Sequence, residues 1–427
     1  MNRLKELIFR LQKSKEGKTV ISNFGYLSLL QIAGYIFPLI TMPYLARVIG
    51  PSGFGKIAFA SAIIVWIQTI ADWGFNFTAT RDVAQNRDNK KKVSEIFSNV
   101  LWARCLLTFI SGILLSIAVY VVPYFKENAT IIFVTFLMVP GYILFPDWFF
   151  QAIEKMKYIT ILNLLVKLIF TISVFLFVKE EKDYILQPLF TTIGYVICGI
   201  FALYVILHSW GYQLYRPNIG SIIKTIKNSA DVFINNLMPN LYNSFSIMLL
   251  GFFWGSVANG IYDGGNKFPS IVYRFQSVLS RAFFPFLSRR SDKHKLYSII
   301  ELSISVIFTL LLIFLAPLII RIMLGVEFEK SIIVMRILAV STIFLSLCNI
   351  YGTNYLIVTH HERPLRNVTI VSSIIGMLIS IPLVYYYSYI GAALTILICR
   401  MLLGISSLYL AKKMQKRCKK DYHIRSA

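Results

Sequence analysis

Lys267, Arg274 and Arg281 stand seven residues apart in a stretch, Val257 to Leu287, that the rest of the chain places across a membrane. Seven residues are nearly two turns of α-helix, so the three cations share one face with a drift of about 20° per step. They climb that face at intervals of about 10 Å, a ladder roughly 20 Å tall in a hydrocarbon layer roughly 30 Å thick. Each centrally placed cation costs about 2.5–3.5 kcal/mol on insertion scales, so a lipid-facing ladder would not persist. The ladder is expected to face a polar cavity, and a cationic cavity suits an anionic cargo. Phosphate or diphosphate would bind well there, because low dielectric strengthens each charge-assisted contact.

Lys167 and Arg400 also lie near mid-depth of apolar runs and join the ladder as candidate binding residues. Their competing role is an ion pair that fixes helix packing. Arg104 and Arg336 lie nearer the ends of their runs and are expected to snorkel to the headgroups. The acids available inside the membrane are Asp72, Asp147, Asp231 and Asp263. Asp147, beside Trp148, suits the membrane interface. Asp72 is deeper and is followed by Gly74 and Asn76, which makes it the candidate site for a coupling ion.

Catalysis finds little support. His208, His294, His360, His361 and His423 fall in connections or the tail, without partners in a metal-ligand pattern. Gly264-Gly265-Asn266-Lys267 lacks the spacing and the Ser/Thr of a nucleotide loop. The five cysteines are scattered and form no C-x-x-C pair. No connection is long enough for a catalytic domain, so no metal or organic cofactor is expected.

The elements that must hold these residues follow from composition. The 427 residues are 56% hydrophobic and 15% charged, with mean hydropathy +0.65, which describes a polytopic helical membrane protein. Twelve spans are predicted, roughly 22–46, 55–78, 95–122, 129–152, 159–178, 185–207, 229–254, 257–287, 296–320, 331–358, 367–386 and 388–411. The net charge of +23 is topological rather than a nucleic-acid signal: the N-terminal arm, the even-numbered connections and the tail hold 29 of the 43 Lys and Arg. Both termini are therefore expected in the cytoplasm. If Val257–Leu287 were only interfacial, everything after it would invert and the seven cations of Lys412–Arg425 would lie outside.

The expected organisation is an amphipathic cytoplasmic arm (1–20), an N-lobe of six spans (21–208), a linker (209–228), a C-lobe of six spans (229–411) and a basic cytoplasmic tail (412–427). Asn23, Gly50 and Gly55 recur as Asn228, Gly255 and Gly260 at an offset of 205 residues, which suits two parallel repeats related by a pseudo-two-fold axis along the membrane normal. Pro38, Pro43, Pro140, Pro239 and Pro269 are expected to kink their spans. Gly251-x-x-x-Gly255 is expected to allow close helix contact.

The segment Pro43-Tyr44-Leu45-Ala46-Arg47-Val48-Ile49-Gly50-Pro51-Ser52-Gly53-Phe54-Gly55 resembles the signature at the outer end of the first helix in bacterial polysaccharide flippases. These are O-antigen and capsule repeat-unit transporters of the multidrug/oligosaccharidyl-lipid/polysaccharide exporter superfamily. A looser likeness lies in Arg321–Arg336, with its Leu324-Gly325-x-x-Phe328 turn. The resemblance implies a multidrug-and-toxin-extrusion-like fold: a V-shaped pair of lobes alternating between inward- and outward-open states. The implied cargo is an undecaprenyl-diphosphate-linked oligosaccharide moved from the cytoplasmic to the periplasmic leaflet of the bacterial inner membrane. Transport would be driven by a coupling ion, proton or sodium, with membrane lipid, a polysaccharide polymerase and a chain-length regulator as partners. In relatives the first, second, seventh and eighth helices line the cavity, where this chain has Arg47, Asp72 and the ladder. Arg47 matches the motif and would act near the outer gate. The other cations are assigned by depth and spacing: Lys267 and Arg274 to bind the diphosphate, Arg281 to capture it near the cytoplasmic mouth. The rival readings are an exporter of cationic drugs on the same fold, which predicts an acidic cavity, and a polymerase or ligase, which predicts a long outer loop.

Overall fold

The computed structural model describes residues 15–289, 293–359 and 361–426. Most of the expected N-terminal arm, together with His360, lies outside them. The described residues contain no strand. The main helices are α1 (Lys15–Asp72), α2 (Phe75–Gln85), α3 (Lys90–Val121), α4 (Ala129–Phe136), α5 (Met138–Leu144), α6 (Asp147–Ala152), α7 (Met156–Phe177), α8 (Leu186–Tyr204) and α9 (Ile219–Leu237). They continue with α10 (Asn243–Arg289), α11 (His294–Met323), α12 (Ser331–Leu347), a ten-residue π-helix (Cys348–Ile357) and α13 (Glu362–Ser426). Among the described residues nine helical segments are long and apolar enough to cross a membrane.

Three of those nine run 61, 42 and 54 residues, far beyond the roughly 20 that one crossing needs. Each leaves the helical region near its middle, at Gly50, Gly255 and Ser388, and the first does so again at Trp73 and Gly74. Gly50 (φ 59°, ψ −176°) and Gly255 (φ 76°, ψ −172°) adopt nearly the same conformation, in a region open essentially to glycine alone. At Ser388 the chain doubles back, because Gly391 presses against the carbonyl of Leu383, eight residues away. In a straight helix that separation would be about 12 Å.

The chain forms two compact units, one comprising Met1–Val48 and Ile63–Asn236 and the other Ile49–Ala62 and Leu237–Ala427. In unit 1, α3 turns a stripe of Val93, Phe97, Val100, Arg104, Leu107, Ser111 and Leu115 inward, at spacings of three and four. Phe97 meets Phe149 at 4.9 Å between ring centroids and Trp148 at 6.2 Å. The chain after α8 is tied along α3: the Ser94 hydroxyl accepts from the Gln213 amide, Ser98 from the Tyr215 amide, and the Trp102 indole donates to the Tyr215 carbonyl. Further on, Trp73 stacks on Phe233 at 3.9 Å and donates to the Ile226 carbonyl, while Thr78 and Ser229 share a hydrogen bond. Residues 209–236 are thus held by unit 1, and the division falls at Leu237, just before the Met238–Leu241 turn that contains Pro239.

Unit 2 packs Tyr242, Leu250, Ile261, Tyr262, Leu338, Val384, Ile396 and Cys399 into one core from α10, α12 and α13. Residues 49–62 join it through a reciprocal contact. A side chain on Gly55 would run into the Ser256 carbonyl, and one on Gly260 into the Pro51 carbonyl. Each pair is the other shifted by 205 positions, so Gly55 and Gly260 mark a local exchange-symmetric crossing just after the matching turns at Gly50 and Gly255. The third repeated residue does not take part: Asn23 donates to the Glu154 carbonyl, whereas Asn228 is exposed. Gly251 does allow a close approach, by the Phe59 ring, but Gly255 serves as the turn instead of a contact. Of the prolines, Pro239 and Pro140 lie beside helix breaks, while α1 runs on through Pro38 and Pro43, and α10 through Pro269.

Candidate functional site

The second limb of α10 positions the ladder. Tyr262, Phe268, Val272, Gln276 and Ser280 bury one side of it in unit 2. Arg274 lies two positions from both Val272 and Gln276, nearly opposite that buried side. Arg274 and Arg281 are exposed, and among the described residues neither has an ion-pair or hydrogen-bond partner. Lys267 differs. Its ammonium pairs with Asp263 at 2.6 Å, one turn earlier on the same helix, and sits 5.9 Å from the centre of the Phe54 ring. The lowest-numbered rung is therefore neutralised within the helix, and the net positive charge of the face rests on the two arginines.

Of the other predicted residues, only Arg400 belongs to the same unit as the ladder. Arg400 belongs to unit 2 but is half-buried in its packing: the guanidinium stacks 3.5 Å over the Tyr273 ring and donates to Ser341 at 3.0 Å. The Tyr273 hydroxyl closes the group with a 2.7 Å hydrogen bond to Ser341. That is a packing cluster, the competing role set out for this residue. Lys167 is half-buried on α7 in unit 1, and Arg47 is exposed, one turn before the Gly50 break.

Asp72 lies at the end of α1 in unit 1, where its carboxylate pairs with Arg104. Arg104 also donates to Asn76 at 3.3 Å and lies 5.6 Å from the centre of the Tyr142 ring. The expectation that Arg104 snorkels to the headgroups is overturned: it is only 1% exposed. The reason is its place on the inward stripe of α3, which a helical reading of Phe97, Val100, Leu107 and Ser111 around it reveals. The Asp147 carboxylate accepts from the next residue's amide, Trp148, at 2.8 Å and stands close enough for its charge to act on Arg104. Asp72 is thus a partner in a buried ion pair. A second buried carboxylate, Glu301 on α11, did not stand out in the sequence because it sits five residues from the predicted end of its span. It lies on an inward stripe of the same kind, Tyr297, Glu301, Ser305 and Thr309.

Comparisons with known proteins complete the picture. Residues 20–291 match the family described as polysaccharide biosynthesis protein. Two curated relatives, each provisionally named an O-antigen transporter, come from Escherichia coli K12 and Shigella dysenteriae. The first is 27% identical over 88% of this chain and 92% of its own length, the second 28% identical over 91% and 99%. Among solved structures, an inward-facing MATE family multidrug transporter of the MOP superfamily superposes with a TM-score of 0.69 at 13% identity, covering 93% of this chain and 99% of that one. The lipid II flippase MurJ in an inward closed conformation gives 0.71 at 16% identity, covering 90% and 87%. Those two likenesses establish the fold: an all-helical membrane protein of the multidrug-exporter type.

Proposed function

We propose that this chain, which belongs to the polysaccharide biosynthesis protein family, is a flippase for an undecaprenyl-diphosphate-linked oligosaccharide repeat unit. The observation that carries the reading is the pair of arginines, Arg274 and Arg281, on the exposed side of α10, which have no ion-pair or hydrogen-bond partner among the described residues. Left against lipid, the two would cost about 5–7 kcal/mol, so their persistence argues for a hydrated path and an anion to meet there. The relatives named as O-antigen transporters and the lipid II flippase with the same fold supply the cargo class.

In this reading the guanidiniums of Arg274 and Arg281 engage diphosphate oxygens, bidentate where the geometry allows, with Lys267 joining when Asp263 releases it. The sugars follow through water while the lipid tail stays in the bilayer. Arg47 acts near the outer gate, and Lys167 is a further candidate anion contact. The three long segments divide at Gly50, Gly255 and Ser388, giving twelve spans in two six-span lobes with both termini in the cytoplasm, in the inner membrane. Movement is coupled to an ion, and the product passes to a polymerase with its chain-length regulator. An exporter of cationic drugs on the same fold would need an acidic face, and this one carries surplus positive charge.

Arg274→Ala is expected to abolish translocation of the lipid-linked repeat unit in reconstituted vesicles, with protein level and melting temperature unchanged. Translocation at the unaltered rate would remove Arg274 from the mechanism.

A further inference from the structure

Tyr273 and Ser280 stand immediately before Arg274 and Arg281, so α10 carries a second, polar seam with the ladder's own seven-residue step. One residue is about 100° of helix, which sets seam and ladder on adjoining faces. The seam is tied at three points to the helices around it. Tyr273 shares a hydrogen bond with Ser341 on α12 at 2.7 Å, Gln276 donates to Ser305 on α11 at 2.9 Å, and Ser280 accepts from Asn354 on the π-helix at 2.7 Å. Where lipid is as apolar as the neighbouring helices, apolar contact does little to fix how a helix is rotated. Buried, directed hydrogen bonds do fix it, and these three set the rotation of the second limb of α10.

The tie at Tyr273 has something the other two lack, a charge. Arg400 on α13 lays its guanidinium 3.5 Å from the centre of the Tyr273 ring and donates through Nη1 to Ser341 at 3.0 Å. Ser341 is fully buried and gives its own proton to the Leu338 carbonyl at 2.6 Å. Its two lone pairs then take the Tyr273 hydroxyl and Arg400, which uses all its bonding capacity. One side chain from each of α10, α12 and α13 therefore meets at a single oxygen. Among the described residues no carboxylate comes within ion-pair distance of Arg400. A guanidinium at the centre of a span costs about 2.5–3.5 kcal/mol, and a neutral side chain would fill the same space without that cost. The charge is kept for what it grips, the face of Tyr273 and the hydroxyl behind it.

We infer that Arg400 and Tyr273 are positioning residues for Arg274: joined at Ser341, they lock the rotation of α10 so that Arg274 meets the diphosphate in a fixed direction. Tyr273 and Arg274 are consecutive on one helix, so a rotation at the first is the same rotation at the second. A binding group must be held within about 0.5 Å and 10–20° of its productive geometry, and side chains behind it do the holding. Neither Arg400 nor Tyr273 touches cargo in this account. The inference rests on the transport reading for the identity of the ligand that Arg274 meets.

The test is equilibrium binding of undecaprenyl diphosphate to the purified full-length protein. Tyr273→Phe deletes one hydroxyl and keeps the ring under Arg400. It is expected to weaken binding by roughly two- to tenfold, the scale of one lost hydrogen bond. Arg400→Gln is expected to weaken it by a similar factor, and Arg400→Lys, which keeps a cation over the ring, by less. The deciding readout is a double-mutant cycle with Arg274→Gln. In that background neither substitution should weaken binding further, because the residue they position is gone; a merely structural role would give the same loss in both backgrounds. Tyr273→Phe removes a single atom, so its cycle decides the matter even if Arg400→Gln fails to fold. Equal losses with and without Arg274, or a Tyr273→Phe protein of wild-type affinity, overturn the inference alone. A wild type that does not bind undecaprenyl diphosphate overturns the transport reading and the inference with it.

Discussion

Asp72 and Glu301 are both carboxylates held inside apolar helical units, and the two units treat them in opposite ways. In unit 1 the charge is matched by Arg104, itself fully buried, which also meets Asn76 and the Tyr142 ring but leaves Nε and Nη1 without hydrogen-bond partners. In unit 2 the charge meets hydroxyl and amide donors only, and nearby amide oxygens are left over. The first arrangement balances its charge by an ion pair. The second leaves its carboxyl among neutral groups. The difference separates a charge-matched carboxylate from one held by neutral donors alone. The cations divide likewise: Arg104 and Arg400 are engaged by their neighbours, whereas among the described residues Arg274 and Arg281 have no ion-pair or hydrogen-bond partner.

The largest effect expected from this contrast is on folding. Arg104→Met strands Asp72 without its partner, and breaking a buried pair from one side costs about 3–5 kcal/mol. Thermal unfolding should show a large drop or loss of folded protein, with much of the stability returning in Arg104→Met/Asp72→Leu. A single variant that melts like the wild type would mean the pair is not a structural tie. A smaller effect is expected at the other carboxylate. Glu301→Gln removes a charge that has no countercharge, so unfolding should show a loss under about 1.5 kcal/mol, the scale of one neutral hydrogen bond, or a gain. A loss as large as that of Arg104→Met would erase the distinction between the two sites.

Much of this was legible in the residues. The seven-residue spacing put Lys267, Arg274 and Arg281 on one face, and that face is the one α10 leaves uncovered. Gly50 and Gly255 were legible through their common offset, because a backbone geometry that only glycine tolerates leaves its mark at one position. Gly55 and Gly260 were legible for the related reason that two backbones cannot approach so closely past a side chain. Arg104 and Glu301 were misjudged or overlooked because depth was counted from predicted span ends. The position of each on an inward stripe is the better signal, since a helix buries faces rather than depths. The Asp263–Lys267 pair was available from its four-residue spacing, but only the fold shows that the two side chains turn toward each other. The π-helix that aligns Asn349 and Asn354 left no mark in the sequence pattern, because its register is set by packing around it.

In the proposed function the exposed arginines of α10 hold a diphosphate. The most direct test of that role is equilibrium binding of undecaprenyl diphosphate to the purified protein, wild type against Arg274→Gln, Arg274→Lys and Arg274→Gln/Arg281→Gln. A charge-assisted contact of about 1.5–3 kcal/mol predicts affinity lower by roughly tenfold to a hundredfold in Arg274→Gln, partly restored by Lys and weakest in the double variant. Equal affinity across all four proteins would contradict it.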